Sequence, residues 1–528
     1  MLESPGIAID VGTTTSCIAV YRAPLGVVEL LANEQGHRTT PSVLAYVSPR
    51  TVLVGDAARA QRPYLPPHTV LYDTARLLGR TFDDPLVQRE LAQAQWPFSV
   101  VPHASSSLRY AVAVADDAPP LLVTPEEATS VLLRHLKRLA ASTAPVVANV
   151  VLTVPASFNA TQRQALRAAA ALADLSVRRL VNAPTAAALA YDLRVPHALV
   201  VSVGGGHMDV TLLDMAGDDV VVRATCGLAN VGGRDIDRRV AAHLAQDARC
   251  HFGPAFNAAS ARVQQRLEAA AEDAKRTLST APVAFIELDE LWRGRPFCAV
   301  LTRATLDELC NDLYALLVHE VARVLATATV DTTAVDALVL AGGVTRDPTL
   351  RATLATFFDG RLPRVYDSID EAAAVGAACV AAAAAIAPDK ANKGPRARDG
   401  GIAFGLDVET DDGGRWTVLP PHTLVPMGRE LAVENASTLR LVEGRGGARR
   451  VLGTAHVTSH VPFAPGAVDV VIHVDGRGRV AVVAKDPRVH VVLETTKRGL
   501  ARRHEDDIGS TQDETTTEGG EPDEEDDK

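Results

Sequence analysis

The segment GIAIDVGTTTSCIAVY, residues 6–21, consists of two short apolar runs on either side of a glycine- and threonine-rich turn. The runs 6–10 and 16–21 are typical of β-strands, and residues 12–15 predict the tight turn that joins them. Glycine allows backbone N–H groups to come close to a phosphate, and the threonine hydroxyls add further donors. Asp10, at the end of the first strand, is placed to hold Mg²⁺ through its water shell. The segment predicts a phosphate-binding hairpin, although a single motif of this kind is more often an ordinary glycine turn.

The same pattern of strand, glycine turn and strand occurs a second time. Residues 198–203 form an apolar run, three glycines follow at 204–206, and a second run covers residues 208–214. A duplicated phosphate-binding hairpin is typical of a two-lobed α/β nucleotide-binding fold. A third strand, residues 337–341, also ends in two glycines.

Helices are predicted between these hairpins by apolar periodicity and by capping residues. Residues 124–140 form one helix, with Thr124 as N-cap, Pro125 as first residue and two glutamates in the first turn. Residues 159–172 predict a second helix, helical pattern dominates 236–281, and 371–387 predict the last helix of this part.

The composition and the hydrophobic pattern of the sequence change after residue 387. Residues 388–401 are rich in Gly, Pro and charge, which is typical of an interdomain linker. Turn residues then separate short apolar runs, which predict a compact all-β domain over 402–500. The predicted strands are 402–408, 416–419, 430–433, 438–442, 452–458, 468–474, 480–485 and 489–495.

Composition and charge exclude several classes of protein. Hydrophobic residues make up 47% of the 528 residues and aromatic residues only 4%, so the core must be built mainly from Ala, Val and Leu. The net charge of −11 arises in residues 505–528, where twelve acidic residues and one lysine predict a disordered tail. The rest of the chain is close to neutral, which gives no reason to expect nucleic-acid binding. Six scattered cysteines without a CxxC pair, and the lack of a signal peptide or apolar span, favour a cytoplasmic protein without a membrane partner.

Seven motifs in their order along the chain resemble those of the DnaK-type, 70-kDa heat-shock chaperone family. They are IDVGTTTSC (9–17), NEQGHRTTPS (33–42), TVPASFNATQR (153–163), PTAAALAY (184–191), GGG (204–206), AKRTLS (274–279) and AGGVTR (341–346). The resemblance implies a two-lobed actin- and sugar-kinase-like ATP-binding domain over 1–387, a polar linker over 388–401, a truncated β-sandwich substrate-binding-like domain over 402–500, and an acidic tail over 501–528.

The resemblance also implies which residues bind ATP or ADP. One helix face and a glycine turn would hold the ribose and adenine, because a planar guanidinium can stack on a base. A helix with this charge pattern is otherwise most often a solvated face. The cofactor-binding positions implied are Gly12, Thr13, Thr14, Gly204, Gly205, Gly206, Glu272, Lys275, Arg276, Ser279, Gly342, Gly343, Arg346 and Asp370. Asp10, which would hold Mg²⁺ through water, and Asp209 are the catalytic residues retained.

Four polar positions around the γ-phosphate depart from the family. The catalytic lysine of the family is Ala75 here, the glutamate before its Pro-Thr-Ala-Ala motif is Ala183, and the residues flanking the second glycine turn are Ser202 and His207. Loss of one group that stabilises a transition state costs about 3 kcal/mol, so we expect very slow ATP hydrolysis. Arg76 or His207 could supply a replacement, but the geometry required is demanding.

The C-terminal half departs from the family as well. The apolar linker is replaced by residues 395–399, the peptide-cleft region 427–444 is short, and neither a helical lid nor the family's C-terminal docking tetrapeptide is expected. Threonines 515–517 and Ser510 could be sites for an acidophilic kinase or part of a tether for a basic partner. A solubilising tail is the commoner explanation.

Three functions remain open at this point. The first is an ATP-binding, hydrolysis-poor chaperone or co-chaperone, with unfolded or nascent polypeptide, a J-domain co-chaperone, a nucleotide-exchange factor and the ribosome as partners. The second is an active chaperone ATPase that folds clients directly. The third is a sugar kinase or actin-like protein, against which the β-domain and residues 33–42 argue.

Overall fold

The computed structural model describes residues 6–386 with short gaps, and nine strands between residues 396 and 495. The gaps are 23–25, 94–95, 116–117, 142–148, 218 and 366–367. The predicted acidic tail lies outside the described residues.

The first half of the chain forms a lobe built on a mixed sheet, which we call lobe I. Its elements are β1 (Gly6–Asp10), β2 (Thr15–Arg22), β3 (Val27–Leu30), β4 (Thr39–Pro41), β5 (Leu44–Ser48), β6 (Thr51–Val54), α1 (Asp56–Gln61), β7 (Val70–Leu71), α2 (Thr74–Leu77), α3 (Pro85–Ala92), β8 (Ser99–His103), β9 (Ser107–Val112), β10 (Leu121–Val123), α4 (Pro125–Ala141), β11 (Asn149–Val154), α5 (Ala160–Leu172) and β12 (Ser176–Asn182).

The next part of the chain forms a second lobe, lobe II, with one helix at each end packed between the lobes. The elements are α6 (Ala183–Ala190), β13 (Ala198–Val203), β14 (His207–Asp214), β15 (Asp219–Ala229), α7 (Gly233–Phe252), α8 (Ala261–Leu278), β16 (Val283–Trp292), β17 (Arg295–Thr302), α9 (Arg303–Ala328), β18 (Ala337–Ala341), α10 (Pro348–Phe357), β19 (Arg364–Val365) and α11 (Ala372–Ile386).

The two lobes share one sheet topology. The order in lobe I is β12-β11-β1-β2-β3, and in lobe II it is β19-β18-β13-β14-β15. In both, the hairpin strands are antiparallel, and the strands on the other side of the first hairpin strand run parallel to it. The predicted duplication is therefore confirmed, and it places the turn after β1 and the turn after β13 in equivalent positions.

Each lobe has its own core, and both are mainly aliphatic as the composition predicted. Ile9, Val20 and Leu152 lie at the centre of lobe I, and Val210, Leu244 and Leu317 at the centre of lobe II. Among the described residues, no helix has both the length and the apolarity that crossing a bilayer requires.

The helix boundaries follow the local signals closely. Thr124 caps α4 as predicted, and Glu127 completes a capping box because its carboxylate accepts from the Thr124 amide at 2.8 Å. The helical pattern predicted over 236–281 proves to be two helices, α7 and α8. The chain leaves α7 at Gly253, whose φ of 84° favours glycine and ends the helix.

Eight of the described strands lie after residue 401, one at each predicted position. They are β21 (Leu406–Thr410), β22 (Arg415–Leu419), β23 (Met427–Glu434), β24 (Thr438–Glu443), β25 (Arg450–Ser459), β26 (Ala467–Val474), β27 (Val480–Ala484) and β28 (Val489–Thr495). They form antiparallel sheets of five and three strands, which confirms the predicted all-β region. Within the predicted linker, β20 (Arg396–Arg398) pairs in parallel with the edge strand β15 of lobe II, an element that the sequence did not indicate.

Small residues allow α6 and α11 to pack very closely between the two central sheets. Ala186 on α6 and Ala374, Ala377 and Ala378 on α11 are fully buried. At Gly376 a side-chain carbon would overlap the carbonyl oxygen of Ala186 and would lie 2.6 Å from its carbonyl carbon. The helix contact that joins the lobes therefore depends on the absence of one methyl group.

We predict that Gly376→Ala lowers the free energy of unfolding by about 3 kcal/mol, because α11 must move away from α6 to admit the methyl group. Denaturant unfolding followed by tryptophan fluorescence measures this change. Cys379→Ala, three residues further along the same helix, is the control and should cost less than about 1 kcal/mol. Equal stability of the two variants would contradict the close packing.

Candidate nucleotide site

A cleft of about 490 Å³ lies between the two lobes and is lined by every site residue predicted from the sequence. Those residues are Asp10, Gly12, Thr13, Thr14, Gly204, Gly205, Gly206, Asp209, Glu272, Lys275, Arg276, Ser279, Gly342, Gly343, Arg346 and Asp370. The four departures, Ala75, Ala183, Ser202 and His207, line the same cleft. The structure therefore brings together residues that are as much as 360 positions apart in the chain.

Two glycine turns, one from each lobe, face each other at one end of the cleft. A side-chain carbon at Gly205 would lie 2.6 Å from the Thr14 hydroxyl oxygen, and one at Gly206 would lie 2.7 Å from that of Thr13. Only glycine fits this approach, so backbone N–H groups and threonine hydroxyls converge on one small volume. Such a concave array of donors is suited to phosphate oxygens.

A pair of glycines outside both turns, Gly232 and Gly233, supports the second turn from behind. The Gly233 amide donates to the Gly204 carbonyl at 2.9 Å, and the Arg234 amide donates to the Gly205 carbonyl at 2.8 Å. These bonds anchor the start of α7 to the turn and fix the turn's position. The pair Gly232-Gly233 before a helical pattern is the sequence signal that could have identified this support.

Two carboxylates flank the glycine turns, Asp209, which is buried, and Asp10, which is half-buried. Burial raises the pKa of Asp10 to about 6, although a hydrogen bond from the Thr153 hydroxyl lowers it. Burial likewise raises the pKa of Asp209 to about 7, against the lowering effect of the Ala156 and Ser157 amides. Thr153 and these amides were not identified from the sequence, because their role depends on a neighbour in space.

The carboxylates and turns together fit a cation bound to phosphate. The Oδ1 atom of Asp209 is buried and has no hydrogen-bond partner among the described residues, so it is available to a ligand. No cluster of three or more His, Cys, Asp or Glu in the described part of the chain is arranged to hold a metal ion. A hard cation would therefore take most of its ligands from water and phosphate, as Mg²⁺ usually does.

The other end of the cleft carries the predicted adenine face. Lys275 donates to Asp237 at 2.6 Å, and Arg346 donates to Asp370 at 2.6 Å. Arg276 remains half-exposed and pairs loosely with Glu272 at 3.5 Å. These pairs hold the long side chains in place along the cleft wall and leave the guanidinium planes accessible.

Few basic side chains line the cleft: among the described residues they are Lys275, Arg276 and Arg346. Lys275 also reaches the second glycine turn, because its Nζ donates to the carbonyl of Gly233, which is itself hydrogen-bonded to Gly204. His207 adds no charge at the phosphate end, because burial and the nearby Arg76 and Arg80 lower its pKa to about 3.

Arg76 lies outside the cleft, behind the second glycine turn. Its guanidinium donates to Asp235 at 2.8 Å and lies 3.7 Å from Glu90. A cation already held by two carboxylates is a poor replacement for one that must contact phosphate.

We predict that His207 makes the folded protein sensitive to mild acid. Its pKa is about 6.5 in the unfolded chain and about 3 in the fold, so between these values the unfolded chain binds a proton that the folded protein does not. Its contribution to stability therefore falls as the pH falls below about 6.5. The raised pKa values of Asp10 and Asp209 act in the opposite direction, so wild type must be compared with His207→Gln.

The measurement is the free energy of unfolding of both proteins at pH 7.5 and pH 5. The free energy of unfolding of His207→Gln minus that of wild type should be about 2 kcal/mol larger at pH 5 than at pH 7.5. Parallel pH profiles would show that His207 is protonated in the fold or is reached by water.

Comparison with known proteins gives a consistent result. A family model described as "Hsp70 protein" matches residues 6–515. The "Heat shock 70 kDa protein" of Neurospora crassa is 35% identical over 523 residues, which are 95% of this chain and 79% of the relative. A "Ribosome-associated molecular chaperone" of Nakaseomyces delphensis is 40% identical over 379 residues, covering 70% of this chain and 60% of the relative. The "Heat shock 70 kDa protein 2" of Paracoccidioides lutzii is 39% identical over 72% of this chain and 57% of its own length.

Proposed function

This chain belongs to the Hsp70 family, and we propose that it is a molecular chaperone or co-chaperone that binds ATP or ADP with Mg²⁺ and hydrolyses ATP weakly or not at all. The observation that carries the proposal is the set of side chains that line the cleft together with its two carboxylates, Asp10 and Asp209. Ala75, Ala183, Ser202 and His207 line this cleft, and none of the four carries a positive charge.

Binding and turnover make different demands on such a site. Binding requires donors for phosphate oxygens, a place for Mg²⁺ and a surface for the base. The glycine turns, Asp10 and the face containing Arg276 and Arg346 supply these. When bound, Mg²⁺ would neutralise phosphate charge, and Asp10 and Asp209 would orient its water shell.

Turnover additionally requires an oriented water and a cation near the transferred phosphoryl group. Ala75 and Ala183 carry no polar side-chain atom, Ser202 is neutral, and His207 is uncharged. Removing a single stabilising donor lowers an enzymatic rate by about 10² to 10³. We infer that the nucleotide is a structural ligand, which stabilises the arrangement of the lobes to which it binds.

The assignment of domains and partners follows from the family. We propose nucleotide binding by residues 1–387, a linker at 388–401, a peptide-binding-like β-domain at 402–500 and an acidic tail at 501–528. Relatives named as ribosome-associated molecular chaperones support unfolded or nascent polypeptide as client and association with the ribosome. A J-domain co-chaperone, a nucleotide-exchange factor and a cytoplasmic location belong to the same proposal, which includes neither nucleic acid nor membrane as a partner.

The alternative is an active ATPase that folds clients directly. It is favoured by the overall identity to chaperones of the family and by the retention of Asp10, Asp209 and the glycine turns. It requires another cation in place of the lysine that the family has at position 75. Arg76 is the neighbouring candidate, but its guanidinium is already paired with Asp235 and Glu90.

We predict that calorimetry detects binding of both ATP and ADP in the presence of Mg²⁺, and that a single-turnover assay on the same preparation detects no phosphate release above background. Changing all four departures to the family residues, with Ala75→Lys, Ala183→Glu, Ser202→Asp and His207→Thr, should raise hydrolysis by about 100-fold or more. Multiple turnover by the unmodified protein would instead establish the active chaperone.

We also predict that the adenine end determines nucleotide affinity. Arg276→Ala combined with Arg346→Ala should weaken ADP binding by about tenfold or more, since both faces available to the base are removed. Arg262→Ala, on the exposed side of the same helix α8, is the matched control and should bind as wild type does. Unchanged affinity in the double variant would place the base elsewhere.

A further inference from the structure

The lobes contact each other in a second place, behind the glycine turns and outside the cleft. Arg76 of lobe I donates to Asp235 of lobe II at 2.8 Å, and the Arg76 side chain is 1% exposed. Its guanidinium is also 3.5 Å from the Gly205 carbonyl oxygen. This contact therefore ties lobe I both to the start of α7 and to the second glycine turn.

Further ion pairs extend from Arg76 across the same interface. Arg238 on α7 lies 3.1 Å from Glu90 and 3.5 Å from Asp73, which are both in lobe I. Arg234, one turn earlier on α7, lies 3.3 Å from Asp73. We call these residues, Asp73, Arg76, Glu90, Arg234, Asp235 and Arg238, the interlobe ion network.

A cation–π cluster continues the network towards α8. Two guanidinium groups lie over the Tyr72 ring of lobe I, with Arg62 at 4.6 Å and Arg234 at 4.8 Å from its centroid. Glu268 on α8 accepts from Arg62 at 3.3 Å, from Arg234 at 3.1 Å and from the Tyr72 hydroxyl at 3.3 Å. The ring and the carboxylate each contact cations from both lobes.

The network stabilises the contact between the lobes only if the attraction between its charges exceeds the free energy lost when these ions are removed from water. A single buried ion pair often gains little, because each ion loses its water. Here three arginines face three carboxylates, and each of these carboxylates lies within 4.0 Å of more than one guanidinium. Burial alone would raise the pKa of Asp73, but Arg234, Arg76 and Arg238 together hold it below its usual value. Asp73 is therefore ionised and paired with cations of both lobes at the centre of the network.

We propose that the interlobe ion network and the Tyr72 cation–π cluster form a latch that holds the two lobes closed whether or not nucleotide is bound. Rotation of lobe II away from lobe I would separate all of these pairs together. Removing one side of a buried pair leaves an uncompensated charge in the interface, so loss of the lobe II cations opposes closure. Closure by this latch depends neither on ATP binding nor on its hydrolysis.

The test is the distance between the lobes in nucleotide-free protein, measured by double electron–electron resonance. One spin label goes on Val47→Cys in lobe I, which is 47% exposed, and the other on the exposed Cys298 in lobe II. Cys250 and Cys379 are changed to Ser, and Cys17, Cys226 and Cys310 are buried. Wild type should show one narrow distance that Mg²⁺–ADP leaves unchanged. In Arg234→Met combined with Arg238→Met, the ratio of open to closed protein should rise about tenfold or more.

Matched controls separate opening from unfolding. Arg239→Met, on the same helix, removes an ion pair with Asp312 that lies within lobe II, and it should keep the wild-type distance. Glu268→Gln keeps shape and volume and should broaden the distribution even if the double variant folds poorly. A broad wild-type distribution that narrows only with Mg²⁺–ADP would overturn the proposal. So would wild-type distances in the double variant and in Glu268→Gln.

Discussion

The contact between two backbone turns, one from each lobe, is the constraint on which the rest of the structure depends. Gly205 and Gly206 approach Thr14 and Thr13 so closely that no side-chain carbon fits between them. The two central sheets must therefore end at the same point. The helices between them must carry small side chains where they meet. Gly376 on α11 meets this second requirement, since it allows contact with the backbone of α6. These two close approaches of backbone determine the shape of the cleft. The side chains that line the cleft determine its chemistry.

The groups that can hold a ligand in this cleft differ in kind from the groups that would convert it. The backbone donors of the glycine turns depend on chain geometry and persist when neighbouring side chains change. The groups that would assist phosphoryl transfer are side chains, and Ala75, Ala183, Ser202 and His207 supply no cation to the cleft. In the proposed function, the fold keeps a phosphate-binding geometry without the charge that turnover requires.

The sequence predicted local features well because they depend on near neighbours in the chain. All eight strands described after residue 401 follow from alternation and turn residues, and the capped start of α4 follows from Thr124 and Pro125. The glycine turns were found because their motif occurs twice. The division of 236–281 into two helices was missed, since Gly253 alone is a weak signal within a strong helical pattern. The interlobe ion network could not be predicted, because Arg76 and Asp235 are 159 positions apart and nothing in either segment indicates the other.

The ion network and the nucleotide act on the same motion, and this limits what the nucleotide can signal. A ligand shifts an equilibrium only by its difference in affinity for the two states. If Arg234 and Arg238 already hold the lobes together, nucleotide binding changes the arrangement of the lobes very little. Only a small conformational change is then available to signal nucleotide binding to other parts of the protein. The segment after lobe II adds a further constraint, since β20 is paired to the edge strand β15 of lobe II. The proposed loss of turnover, the proposed latch and this pairing together describe a domain that keeps one shape, and a partner that binds it would recognise that shape instead of a cycle between two.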